Sequence, residues 1–314
     1  MTHVIGVLIF PDFQILDAAG PIAAFEIAGR YVPGAYALRL IAAEPGMVRS
    51  SSSVALQAEG LDRQPVPDTL LVAGGEGVGG PSRDPRILDF VREVAGQARR
   101  VASVCSGTYV LAAAGLLDGL RATTHWNRSA DFARRFPKVR LEPDRIHIRQ
   151  GAIWTSAGIT AGIDLALAMI ALDQGEAVAR RTAQQLVVYH RRPGGQSQFS
   201  ALLELEGAAE RFGLLLGWAR ERLHEPLPVE RLADQAAMSP RHFARAFSAQ
   251  IGVTPARAIE RLRVEAARAR VESGSEPVDA IAASVGFGDP ERMRRAFVRA
   301  FGQPPQMLRR AARA

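Results

Sequence analysis

Residues 278–310, VDAIAASVGFGDPERMRRAFVRAFGQPPQMLRR, decide the fold of the C-terminal third because they repeat an earlier stretch. LADQAAMSPRHFARAFSAQIGVTP (232–255) and IAASVGFGDPERMRRAFVRAFGQPP (281–305) match at an offset of 50 residues. Pro240 coincides with Pro290, Arg245 with Arg295, Ala246 with Ala296, Phe247 with Phe297, Gly252 with Gly302 and Pro255 with Pro305. Each copy has the same grammar. A short helix ends in a turn, 236–239 or 285–289. A proline then opens a second helix, where its missing N–H does no harm. That helix ends at a glycine suited to a left-handed cap.

The second helix of each copy is amphipathic. Phe243, Ala246 and Phe247 lie at i, i+3 and i+4 and face a core, so Arg241, His242 and Arg245 point outward. In the later copy Met293, Ala296 and Phe297 face inward, leaving Glu291, Arg292, Arg295 and Arg299 outside. An outward face with arginine near its N-terminal end suits a recognition helix in a DNA major groove. Arginine bonds guanine O6 and N7 together, and glutamate accepts from cytosine N4. Between the copies, ARAIERLRVEAARARVES (256–273) consists almost wholly of helix formers. A helix of that length spans about 27 Å, enough to hold two recognition helices roughly one DNA turn (~34 Å) apart.

Charge supports this reading. The formal net charge is +7, and from residue 211 onward 18 Arg and Lys face 11 Asp and Glu, while the first 210 residues balance at 21 each. A positive field confined to one third of a chain is the footprint of a polyanion partner.

On these residues, region 212–311 resembles the C-terminal DNA-binding domain of the AraC/XylS family, whose signature is similar to the 278–310 string. The resemblance implies an all-α domain with two helix-turn-helix units, double-stranded promoter DNA as partner, and contact with RNA polymerase. Glu291-Arg292 at the start of the second recognition helix, and Met293 where an aromatic is common, leave base preference open.

The first part of the chain reads differently. HVIGVLIF, ALRLIAAE, TLLVAGG and RRVASVC are short apolar runs that predict buried strands. ILDAAGPIAAFEIAGR, DPRILDFVREVAGQARR, GITAGIDLALAMIALDQG and EAVARRTAQQLVVYHRR predict helices. SSSVALQAE and VRLEPDRIHIRQGAIWTSAG add strands or hairpins. This alternation implies an α/β domain, a mostly parallel sheet with helices on both faces. RRPGGQSQF (191–199) breaks the pattern. We therefore expect an α/β domain over 1–190, a linker over 191–211 and a helical domain over 212–314.

Cys105, the single cysteine, ends a predicted strand and is followed by SGTYVLAAAGLL. A small strand-to-helix turn presents its side chain at the carboxyl edge of a sheet, as in nucleophile elbows. The adjacent helix N-terminus is expected to favour thiolate. Oxyanion-type donors are available from the Ser106 N–H and from the Gly74-Gly75 turn. Packing as a small buried hydrophobe is the competing use of such a cysteine, and a redox-sensing thiol is a further one. Trp126, Trp154 and Phe13 are open either to core packing or to a cation cage.

FPDFQILDAAGPIAAFEIA, LLVAGGEG, VASVCSGTYVLAAAGLLDGLRATTHW and IWTSAGITAGIDLALAM run through this half. They resemble the flavodoxin-like class I glutamine amidotransferase fold of the PfpI/ThiJ superfamily, its stand-alone isocyanide hydratases included. The resemblance implies an effector-binding or vestigial catalytic set of Asp17, Gly75, Cys105, Ser106 and His125. Together the two halves are similar to the GlxA-like subfamily of regulators. There the amidotransferase-like domain is thought to sense small metabolites, amino acids or quaternary amines in characterised relatives, and to dimerise. The implied function is a sequence-specific transcription regulator that responds to a small nitrogen-containing effector as a homodimer. The alternative is a cysteine-dependent hydratase or amidase.

One cysteine excludes an internal disulfide and suits a reducing compartment. No apolar run reaches the ~18–20 residues of a membrane span, and MTHVIGVLIFPDFQ (1–14) reads as a first strand in place of a signal peptide. A cytoplasmic chain with no membrane partner, cofactor or metal is expected.

Overall fold

The computed structural model describes residues 2–62, 65–188, 192, 194, 210–274 and 276–313. The chain divides into two compact units, Met1–Gln198 and Phe199–Ala314.

The first unit is built on strands β1 (His3–Leu8), β2 (Tyr36–Ile41), β5 (Thr69–Val72), β6 (Arg100–Val104), β9 (His147–Gln150) and β10 (Ile153–Ser156). They form one sheet in the order β2-β1-β5-β6-β10-β9. All neighbours are parallel except the edge pair β10–β9. A separate hairpin joins β3 (Gly46–Arg49) to β4 (Ala55–Ala58), and β7 (Arg121–Ala122) pairs with β8 (Arg140–Leu141). Every residue of β5 and β6 is buried. Successive strand residues point to opposite faces, so both faces of the sheet are covered. The cover is α1 (Ile15–Tyr31), α5 (Ala161–Gln174) and α6 (Glu176–Gln185), which pack on one another, and α2 (Pro85–Gln97), which packs on α3 (Thr108–Ala113). A shorter helix, α4 (Ser129–Arg135), supplies Phe132 to the core.

The parallel strands follow a 2-1-3-4-5 order once the hairpins are set aside. In sheets of this kind ligands bind beyond the carboxyl ends of the strands, where the order reverses. At the opposite end of the sheet, the Asp173 side chain is buried and accepts from Arg99 (2.9 Å), from Arg100 (3.0 Å) and from the Tyr36 hydroxyl (3.2 Å). Its two arginines hold the Asp173 carboxyl below the usual range despite burial.

The helix expected over EAVARRTAQQLVVYHRR is shorter than the pattern predicts. It stops at Gln185, and Val187 takes a φ of +56° with its side chain exposed. Apart from 192, 194 and 210–211, the linker expected over 191–211 lies outside the described residues.

The second unit is helical throughout its described length: α7 (Glu210–Arg220), α8 (Val229–Gln235), α9 (Pro240–Ile251), α10 (Pro255–Ser273), α11 (Val278–Ser284), α12 (Pro290–Phe301) and α13 (Pro305–Arg313). Prolines 240 and 290 open helices as expected, and Pro255 and Pro305 open the helices that follow. Gly252 (φ +77°) and Gly302 (φ +71°) cap α9 and α12 in the left-handed conformation. Two cores result. One gathers Phe212, Leu216, Leu232, Phe243 and Phe247; the other gathers Val271, Ile281, Met293, Phe297 and Leu308. Helix α10 contributes Ala258, Ile259 and Leu262 to the first and Val264, Ala267 and Val271 to the second.

Candidate functional site

Cys105 sits at the carboxyl end of β6 with φ +58° and 8 % exposure. Non-glycine residues seldom occupy this region, and such strain gathers at functional sites. Six described non-glycine residues have positive φ, and three of them, Asp12, Cys105 and Ile159, belong to the loops at this edge. Two glycines make the turn possible. A Cβ on Gly158, whose φ is +95°, would lie 2.2 Å from the Cys105 Cβ, and one on Gly74 would lie 2.6 Å from the same atom.

Helix α1 brings Asp17 to the thiol. The Asp17 carboxylate is fully buried. Its Oδ1 accepts from the Ile159 N–H (2.7 Å), its Oδ2 from the Gly74 N–H (3.2 Å), and the Cys105 thiol is its third hydrogen-bond partner. Burial raises its pKa to about 6, against the lowering effect of these three donors. The thiol is pushed well above the ordinary cysteine range, by burial first and by the Asp17 charge second. The expectation of a helix-favoured thiolate is thereby corrected: desolvation and a neighbouring carboxylate outweigh the short helix behind the elbow.

The oxyanion donors expected of the glycine turn are also committed. Asp17 takes the Gly74 N–H, while the Ser106 hydroxyl accepts from the Gly75 N–H (2.9 Å) and donates to the Gly75 carbonyl (3.0 Å). The Ser106 N–H is directed at the sulfur. His125 is engaged elsewhere, its Nδ1 2.7 Å from Asn127 Oδ1 and its ring against Trp126. The groups acting on the thiol are Asp17 and Ser106. Of the five residues expected here, the structure joins Asp17, Gly75, Cys105 and Ser106 directly. Phe13 and Trp154 are buried and Trp126 is half exposed, which favours packing over a cage of all three.

Sequence reasoning missed the roles of Gly158 and Ile159, and gave to an oxyanion the Gly74 N–H that serves Asp17. It also missed Thr124, whose hydroxyl donates to the Cys105 carbonyl at 2.9 Å, and an Arg128–Glu76 ion pair joining the loops beyond His125 and Gly75. Backbone N–H groups carry no residue-type signal, so Ile159 was not legible. The glycines stood in quoted strings but announced no partner.

In the second unit, Arg241, His242 and Arg245 on α9 are exposed, with Phe243 and Phe247 buried behind them. On α12, Glu291, Arg292, Arg295 and Arg299 are exposed, with Met293, Ala296 and Phe297 fully buried. Both expected outer faces are thus present. Glu291 is bound by Arg294 (2.7 Å), and Arg299 reaches Glu260 on α10 (2.8 Å). Arg294, Arg257 and Glu260 were not foreseen as part of this surface.

The DJ-1/PfpI family matches residues 3–172, and a helix-turn-helix domain matches residues 232–311. The HTH-type transcriptional regulator GlxA of Rhizobium meliloti is 30 % identical over 98 % of this chain and 95 % of its own. The HTH-type transcriptional regulator Rv1931c of Mycobacterium tuberculosis is 33 % identical over 78 % of this chain and 95 % of its own. The isonitrile hydratase of Pseudomonas putida is 41 % identical, over 52 % of this chain and 69 % of its own. Among solved structures, a ThiJ/PfpI family protein from Pseudomonas syringae superposes with a TM-score of 0.55 at 26 % identity, covering 62 % of this chain and 78 % of that one. With a DJ-1/PfpI half and a duplicated helix-turn-helix half in one chain, the protein belongs to the DJ-1/PfpI-containing, AraC-type transcriptional regulators of the GlxA kind.

Proposed function

We propose that the first unit senses a small nitrogen-containing metabolite beside Asp17 and Cys105, and that binding there biases how two copies of the chain present their helix-turn-helix pairs to promoter DNA. The observation carrying this reading is the fully buried Asp17 carboxylate beside a strained elbow cysteine. With a pKa of about 6 it is mostly ionised at neutral pH, and a buried negative charge selects ligands that bring N–H donors or positive charge. The name of the isonitrile hydratase relative points to nitrogen chemistry at the same fold.

The β10–α5 loop offers a route from the site to the expected linker. Ile159 donates to Asp17, and the next residue, Thr160, accepts from Arg192 at 2.8 Å. A ligand that displaced the first bond would disturb the second, and it would act on DNA only through a difference in its affinity for two states of the chain. Residues 1–190 as sensor, 191–211 as linker and 212–314 as DNA reader belong to this proposal. So do a homodimer, contact with RNA polymerase and a cytoplasmic location. No described helix is long and apolar enough to cross a membrane.

Two experiments test the proposal. In a thermal-shift screen of amino acids and methylated amines, a ligand of the native state raises the melting temperature; the shift should appear in the native chain and vanish in Asp17→Asn. A screen without any shift removes the sensing role. On the DNA side, Arg245→Ala and Arg295→Ala should each weaken operator binding by about 1–3 kcal/mol and relax one base position. Unchanged operator binding in both variants removes the assigned reading faces.

The second reading is a cysteine-dependent hydratase or amidase, favoured by the elbow geometry of Cys105. Its test is turnover of isonitriles or amides, with Cys105→Ala as control. The raised thiol and the committed Gly74 and Gly75 N–H groups argue against it in the unliganded state.

A further inference from the structure

One groove in the second unit is built of charge. It encloses about 590 Å3. Arg257, Glu260 and Arg263 from α10 line one wall, and Arg292, Arg295 and Arg299 from α12 line the other. Thr254 caps the first turn of α10 beside it, its hydroxyl accepting from the Arg257 N–H at 3.3 Å. The positive end of a 19-residue helix therefore adds to the arginines.

Among the described lining residues Glu260 is the one carboxylate. Its Oε1 accepts from Arg257 and its Oε2 from Arg299 at 2.8 Å, so a single anion bridges the two helices. Arg263 is committed to the carbonyls of Leu223 (3.1 Å) and Glu225 (2.8 Å). The guanidinium groups of Arg292 and Arg295 have no hydrogen bond or ion pair among the described residues. A carboxylate and a phosphodiester make the same demand on arginine, an anionic oxygen facing N–H donors.

We propose that this groove receives a backbone phosphate of the bound duplex, and that Glu260 occupies the phosphate's place on Arg257 and Arg299 when no DNA is present. The inference rests on the DNA-reading role of α12 and names a further contact of the same surface. DNA must displace the Glu260 carboxylate from Arg299 and then lie near its charge. Glu260 thereby lowers affinity for every duplex alike and leaves discrimination to the base-reading arginines.

The test uses the full chain and a labelled mixed-sequence duplex of about 30 base pairs, roughly three helical turns. Anisotropy is followed from about 50 to 200 mM salt, where backbone contacts dominate affinity. Glu260→Gln keeps the shape and removes the charge. It should tighten binding several-fold and steepen the slope of log K against log salt by about 0.9, one phosphate's worth. Arg299→Met should weaken binding and flatten the slope by a similar amount, and melting curves of both variants report folding independently.

Glu260→Gln binding that is unchanged, or weaker, while the native chain binds the duplex, overturns the proposal and leaves the DNA-reading role standing. Failure of the native chain to bind any duplex overturns both.

Discussion

Arg192 grips Asp164 three times: its backbone N–H bonds Oδ1 at 2.9 Å, and Nε and Nη2 of its guanidinium bond Oδ2 at 2.9 and 2.7 Å. The Asp164 side chain is 4 % exposed and that of Arg192 26 %. Removing one partner of a buried pair strands the other charge. Arg192→Met should therefore lower the stability of the first unit by about 1–3 kcal/mol, less than a fully buried pair because water reaches the arginine. Denaturant unfolding checks this, and a change below a few tenths of a kcal/mol would show the contact to be idle.

Asp17 sets a pH signature. Its folded pKa is about 6 against 3.8 in an unperturbed carboxyl. The folded state thus holds the proton more tightly, so this group's contribution to stability is full at low pH and falls as pH rises from about 4 through 6. The loss is on the order of 3 kcal/mol. Asp17→Asn removes the titration. The native protein's stability relative to this variant should therefore decline by that order between pH 4 and pH 7. The mismatch of an amide facing two N–H donors adds an offset that does not vary with pH. A difference flat in pH would refute the buried, raised carboxyl.

Gly158 is where the elbow has no room. Its φ of +95° is strained for any side chain, and a methyl group would overlap Cys105 Cβ and Cα. Gly158→Ala should destabilise by on the order of 2–5 kcal/mol, combining backbone strain with overpacking. Thermal and denaturant unfolding measure it. A near-neutral alanine would mean the elbow is not as tightly built as described.

The glycine caps offer a paired test. A Cβ at Gly252 or Gly302 meets nothing within 4 Å, so alanine there is penalised by φ alone. Each substitution should lower stability by about 1–2 kcal/mol, the left-handed penalty for an L-residue. The two losses should be similar, because the caps share their geometry. Strongly unequal losses would indicate that the two copies of the motif do not share a capping mechanism.

Periodicity and punctuation carried much of the fold into the sequence. Phe243 and Phe247, or Met293 and Phe297, reveal a buried stripe because helix geometry repeats every 3.6 residues. Prolines 240 and 290 mark helix starts for a local reason, the missing N–H. The elbow was legible as a turn because glycine and small residues surround Cys105. Asp17, 88 positions away in the chain, was placed beside it by family resemblance alone, and the rise of the thiol was not legible because burial, which dominates it, appears only on folding. Glu260 was hidden for a similar reason. Along the chain it is one more charge on a helix surface, and only folding places Arg299 across from it. The end of α6 escaped because the helical pattern continues through Leu186 and Val187, while the backbone turns out of the helix at Val187.

Helix α10 belongs to both cores of the second unit, and that fixes what its length can become. One inserted residue would advance everything behind it by about 1.5 Å and turn it by about 100°. The outer face of α12 would turn away from the side shared with the outer face of α9. If α9 and α12 read bases as proposed, substitutions on their outer faces should change base preference and leave the spacing set by α10 alone. On that reading the chain is a ruler, its length held by the packing on either side of a single helix.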